Sequence, residues 1–106
     1  MFQGNMGKMM KQVQQMQKQM ARLQEKLPEM TVEASSGGGA IRVVASGQKE
    51  IKEIHIEKEA LEDADAEMLQ DLILSAVNEA LRRAEEMAAA EMQKITGGLN
   101  LPPGVF

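Results

Sequence analysis

The feature that most constrains this chain is a heptad near its N-terminus. Met6, Met9, Val13, Met16, Met20, Leu23 and Leu27 follow one another at alternating separations of 3 and 4 residues, an apolar seam three heptads long. Met10 widens the seam, and the Gln and Lys residues around it are good helix formers. Pro28 disfavours helical geometry at Leu27 and ends the run. The spacing therefore predicts a helix over about residues 6–27, roughly 30 Å long at 1.5 Å per residue. Residues 1–5 carry no pattern, include Gly4 and are expected to be a flexible tail.

Past Pro28 the period changes from helical to alternating. Met30, Val32 and Ala34 alternate with polar residues, as do Ile41, Val43 and Ala45 with Arg42, Val44 and Ser46, the pattern of half-buried strands. Ser35-Ser36-Gly37-Gly38-Gly39 and Ser46-Gly47-Gln48 read as tight turns. A third β-branched run covers residues 51–57. There Ile54 and Ile56 alternate while Ile51 is out of phase, so either a bulge intervenes or Ile51 faces the other side.

The acidic residues within 61–66, Glu62, Asp63 and Asp65, suit a helix N-terminus, with Asp63 or Asp65 as the cap. A long amphipathic helix is expected over about residues 66–95. Its apolar face includes Leu69, Leu72, Ile73, Ala76, Val77, Ala80, Ala84 and Met87, and Gly97-Gly98 and Pro102-Pro103 mark the stop. The fold class is α+β: α-β-β-β-α, a three-stranded antiparallel sheet and two long helices. Such helices outrun strands of roughly 17–20 Å and project as arms with apolar seams that one protomer does not cover. A homodimer is the expected consequence.

Composition narrows the function classes. The chain has 106 residues, no cysteine and one histidine, His55, so thiolate chemistry and histidine-rich metal sites are excluded and no metal or cofactor is expected. No nucleophile, base and orienting group can be read together, since Ser35, Ser36, Ser46 and Ser75 have only His55 as a histidine base; an enzyme acting on a small-molecule substrate is not expected. No apolar run approaches a membrane span and no secretory h-region follows the N-terminus, so a soluble cytoplasmic protein is expected. Glycines 37–39 lack the Lys-Ser/Thr of a phosphate loop. His55, between Glu53 and Glu57, reads as a surface histidine.

The net charge is −4, but it is segregated. Residues 1–27 carry Lys8, Lys11, Lys18, Arg22 and Lys26 against Glu25 alone, whereas residues 61–106 carry nine carboxylates against Arg82, Arg83 and Lys94. A basic helix on an acidic protein suggests a polyanion partner or, more plainly, neutralisation of the acidic helix.

The segments GNMGKMMKQVQQMQKQM (4–20), AIRVVASG (40–47) and EMLQDLILSAVNEALRRAEEMAAAEMQKITGGLNLPPG (67–104) resemble the YbaB/EbfC nucleoid-associated proteins of bacteria. The resemblance covers nearly the whole chain and is most specific in the last segment. It implies one DNA-binding domain over residues 1–106, with 1–5 and 99–106 as tails, and a tweezer-like homodimer whose helical arms project from a joined β core. It also implies loosely specific binding of duplex DNA, placement in the nucleoid, and effects on nucleoid organisation and gene expression.

In the heptad, Lys8 and Arg22 occupy c, Lys11 and Lys18 occupy f, and Lys26 occupies g, so four of the five lie on an outward stripe suited to phosphates. Arg82, Arg83 and Lys94 extend the candidate DNA-binding set, although Glu85, Glu86 and Glu91 lie close by. The only aromatics are Phe2 and Phe106, which favours duplex over single strands, whose bases stack on aromatic side chains. No helix-turn-helix or zinc module is readable, and the six glutamines of the first helix read as solvated helix formers, so weak specificity is expected. The alternative is a protein-interaction or chaperone-like clamp with Met-lined arms. An interfacial membrane helix is disfavoured by the lack of Trp or Phe in the seam.

Overall fold

The computed structural model describes residues 2–97, with side chains from Met6 onward. The elements are α1 (Phe2–Lys26), β1 (Thr31–Ser36), β2 (Ile41–Ser46), β3 (Ile51–Ile56), α2 (Lys58–Asp63) and α3 (Ala66–Thr96). Helix α1 starts at Phe2, inside the segment expected as a tail; the other expected tail, 99–106, lies outside the described residues. Helix α2 is an addition to the expected order. Its six residues are too few to show a helical apolar stripe, and only Ala60 is buried.

The strands form the expected antiparallel meander, ordered β1-β2-β3. Ala34 pairs with Val43 and Val32 with Ala45, while Val43 also pairs with Ile54 and Ile41 with Ile56. One face is thus apolar across all three strands. Val44 opposes Glu53 and Ala45 opposes Ile51, which leaves Lys52 unmatched. That bulge settles the phase of Ile51 and returns it to the apolar face, half-buried against the core.

Helix α3 lies over this face. Asp65 caps it, its carboxylate accepting from the Met68 backbone N–H at 2.8 Å. Ala76, Ala80 and Ala84, one helical turn apart, are fully buried against Ala34, Ile41, Val43 and Ala45. Methyl side chains let the helix backbone sit close to the sheet, which alanine alone among the good helix formers allows. The Ser36 hydroxyl donates to the Leu72 carbonyl at 2.6 Å and ties the β1–β2 turn to α3. In that turn Gly37, Gly38 and Gly39 all have positive φ, a conformation glycine adopts without steric cost.

The rest of α3 and all of α1 extend away from the sheet. The radius of gyration is 20.1 Å and the extents are 73 × 22 × 16 Å; a compact chain of this length would have a radius of about 13 Å. Helix α1 joins the sheet through a tight turn at Leu27–Glu29. The Gly47 N–H bonds there to the carbonyls of Leu27 at 3.0 Å and Met30 at 2.9 Å, fixing the root of the arm.

Candidate nucleic-acid interface

At about 100° per residue, Lys8, Lys11, Lys18, Arg22 and Lys26 of α1 fall within about 80° of arc. Lys26, which the heptad set apart at g, joins the other four. The apolar positions from Met6 to Leu27 occupy the opposite side. All five cations are exposed, and among the described residues none of them forms a salt bridge or a side-chain hydrogen bond. A rigid helix therefore carries a row of uncommitted charges roughly 27 Å long from Lys8 to Lys26.

The cations of α3 are placed differently. Arg82 is held by two carboxylates: its Nε lies 3.1 Å from Glu79 Oε2, and its NH1 lies 2.6 Å from Glu86 Oε1. Arg83 Nε lies 3.1 Å from Glu79 Oε1, while its NH1 donates to the Glu33 carbonyl of β1 at 2.7 Å. Lys94 Nζ lies 3.2 Å from Glu91. The Arg82 hydrogen bond, helped by Arg83, holds the Glu79 carboxyl below the usual glutamate range; the same bond raises Arg82. These arginines are engaged within the fold, whereas among the described residues the five cations of α1 are not.

Lys94 does approach the α1 stripe. It lines a cleft of about 430 Å³ between α1 and α3 together with Gln19, Arg22, Leu23, Lys26, Met30, Glu91 and Ile95. Arg82 and Arg83 do not reach it. Sequence reading flagged Glu85, Glu86 and Glu91 but missed Glu79. Its spacing of three and four residues to Arg82 and Arg83 was the available signal.

The α1 seam is covered only in its second half. Met16 and Leu23 are 6% and 7% exposed, but Met9 is 64% and Val13 42% exposed, as expected for a projecting arm. His55 Nε2 lies 3.1 Å from Glu53 Oε1 on the polar face of the sheet. No helix among the described residues is long and apolar enough to cross a membrane, and none of those residues groups as three or more His, Cys, Asp or Glu around a metal-sized site.

A family model described as the YbaB/EbfC DNA-binding family matches residues 2–99. A curated relative from Acetivibrio thermocellus, named a nucleoid-associated protein, is 61% identical over 99% of this chain and 93% of its own. One of the same name from Pelotomaculum thermopropionicum is 58% identical over 100% of each chain. The crystal structure of an uncharacterized Helicobacter pylori protein matches with a TM-score of 0.68 at 28% identity, covering 80% of this chain and 89% of that one.

Proposed function

The chain belongs to the YbaB/EbfC DNA-binding family, and from that premise we propose that it is a nucleoid-associated protein that binds duplex DNA as a homodimer with little sequence specificity. Acting in the cytoplasm on the nucleoid, it affects nucleoid organisation and gene expression. The observation that carries the reading is the row of five uncommitted cations on one face of α1. Spaced cations on a rod displace condensed counterions from phosphates without reading bases. Lys94, although paired with Glu91, contributes because it shares the cleft with Arg22 and Lys26, while Arg82 and Arg83 are held by carboxylates and do not line that cleft.

The dimer has its own support. Ile54 and Ile56 stand on the sheet's apolar face beyond the cover of α3, 47% and 37% exposed. Leu74 of α3 is a further exposed apolar side chain, 59% exposed. The outer edge of β1 is blunted by Arg83 on the Glu33 carbonyl, which leaves β3 as the edge suited to a second protomer.

The test is fluorescence anisotropy of labelled duplexes at about 50 and 200 mM salt. Five phosphates neutralised by one arm give a loss of roughly 500-fold over that range, and ten by two arms about 10⁵-fold. Replacing Lys11, Lys18 and Arg22 with Ala is expected to weaken binding on unrelated sequences alike, with the sedimenting mass unchanged. Binding that is absent at the lower salt, or indifferent to salt, refutes the reading.

A further inference from the structure

The uncovered half of the α1 seam has no role in phosphate contact. Met9, Met10 and Val13, with Gln14 and Gln17, line an open groove of about 360 Å³ on this helix. Met6, Met9 and Met10 are 63–64% exposed, an unusual share for large apolar side chains in register. The groove continues the heptad whose second half is buried at Met16 and Leu23, with Leu23 sharing a cleft with Ile95 of α3. A strict alternation of 3 and 4 is the pattern by which one helix seats against another.

Charge identifies the occupant. In a coiled coil the e and g positions flank the seam and select the partner. Here, beside the exposed half, they are Met10, Gln12, Gln17 and Gln19, all uncharged, although the helix is strongly basic. An acidic partner helix would call for lysine at those places. Instead Lys8, Lys11, Lys18 and Arg22 sit at c and f, directed away from the seam, so two copies of this basic helix can meet without facing like charges. The geometry points to pairing of the exposed seam of α1 with α1 of a second copy of the chain. The two basic rows then face opposite ways, and one paired arm holds two duplexes together. The DNA-bridging half of this inference rests on the function proposed above; the pairing itself does not. A seam this short makes a weak interface, and tethering on DNA strengthens it by raising the local concentration of arms.

The absence of cysteine makes the pairing directly testable. Full-length Met10→Cys and Lys11→Cys variants are treated with a short bis-maleimide without DNA. Crosslinked pairs are expected from Met10→Cys, beside the seam, and at least tenfold less from Lys11→Cys on the outer face. Equal yields, or none from either, overturn the pairing. The apolar segment 98–106 is the competing occupant. If deleting it raises the Met10→Cys yield severalfold, that segment covers the seam and the inference fails. For bridging, the double variant Met9→Gln, Val13→Gln keeps charge and exposed helical positions. It is expected to bind one duplex within about threefold of the parent protein but to lose capture of a fluorescent duplex by bead-bound duplex. Undiminished capture overturns bridging through this seam. Failure of the parent protein to bind any duplex would instead refute the DNA reading and leave the crosslinking result standing by itself.

Discussion

Substituting Gly47 with Ala tests how the arm is rooted in the sheet. Gly47 does not have a positive φ, so its side chain is excluded by space and not by backbone conformation. A Cβ there would lie 2.7 Å from Leu27 Cδ2, 3.0 Å from the Leu27 carbonyl oxygen and 3.2 Å from Leu27 Cβ. Ordinary carbon contacts begin near 3.5 Å. The Cδ2 methyl can rotate away, but the carbonyl and Cβ are fixed to the backbone, and that same carbonyl accepts the Gly47 N–H. Overpacking of this kind costs about 1–3 kcal/mol, and weakening the paired hydrogen bonds adds about 1 kcal/mol. A total of about 2–4 kcal/mol corresponds to a fall in Tm on the order of 10–25 °C for a domain of this size. Circular dichroism melting measures it. Leu27→Ala in the Gly47→Ala background is expected to return about 1 kcal/mol as a coupling energy, because it removes the nearest clashing atom. A Tm within about 2 °C of the parent protein, or strict additivity of the two substitutions, would refute the close-contact argument.

Glu79→Gln is expected to loosen Arg82 and Arg83, which keep Glu86 and the Glu33 carbonyl, and by removing one carboxylate charge to tighten duplex binding modestly at about 100 mM salt, which anisotropy reads. An NMR titration should find the Glu79 carboxyl ionising below the ordinary glutamate range, because Arg82 hydrogen-bonds to it. The sign follows: the contribution of this pair to stability is present above the unfolded glutamate value and is lost as pH falls through the lowered folded one. Lys49 holds φ 64 in the β2–β3 turn, where its exposed ion pair with Glu85 at 3.6 Å adds little. Melting temperatures should therefore rank Lys49→Gly at or above the parent, since glycine removes a left-handed cost of about 1–2 kcal/mol, and Lys49→Val below it, since a β-branched residue resists that conformation more than lysine does.

Much of this was legible in the sequence because it was periodic. The heptad gave α1, alternation gave the strands, and the stripe through Ala76, Ala80 and Ala84 gave the face of α3 that meets the sheet. Ile51 being out of phase left a bulge and an outward-facing Ile51 equally open; pairing with β2 decides for the bulge, at Lys52. What escaped was nonlocal or short. Gly47 reads as turn chemistry, yet its smallness answers to Leu27, twenty residues earlier. Arg83 reads as a candidate phosphate contact, yet the Glu33 carbonyl, fifty residues away, holds its guanidinium. The row of cations on α1 could be drawn from spacing alone; that the α3 cations are engaged required Glu79 to be seen between them.

The acidic net charge remains to be reconciled with DNA binding. What matters is the separation between the basic row and the acidic body relative to the screening length. Helix α1 is about 37 Å long, and Lys8 lies roughly 27 Å along it from Lys26. At about 0.1 M salt the Debye length is about 10 Å, so a phosphate approaching the outer arm is attracted by the local cations and scarcely repelled by the carboxylates of α3. At about 0.01 M the screening length grows to about 30 Å and spans that separation, so the net charge of −4 begins to act on the same phosphate. Affinity should thus rise linearly on logarithmic axes as salt falls from about 200 to 50 mM, then flatten towards 10 mM, where counterion release alone predicts no bend. A line that stays straight down to 10 mM would mean that the acidic body lies too far from the bound duplex to repel it, and that binding is confined to the outer turns of α1.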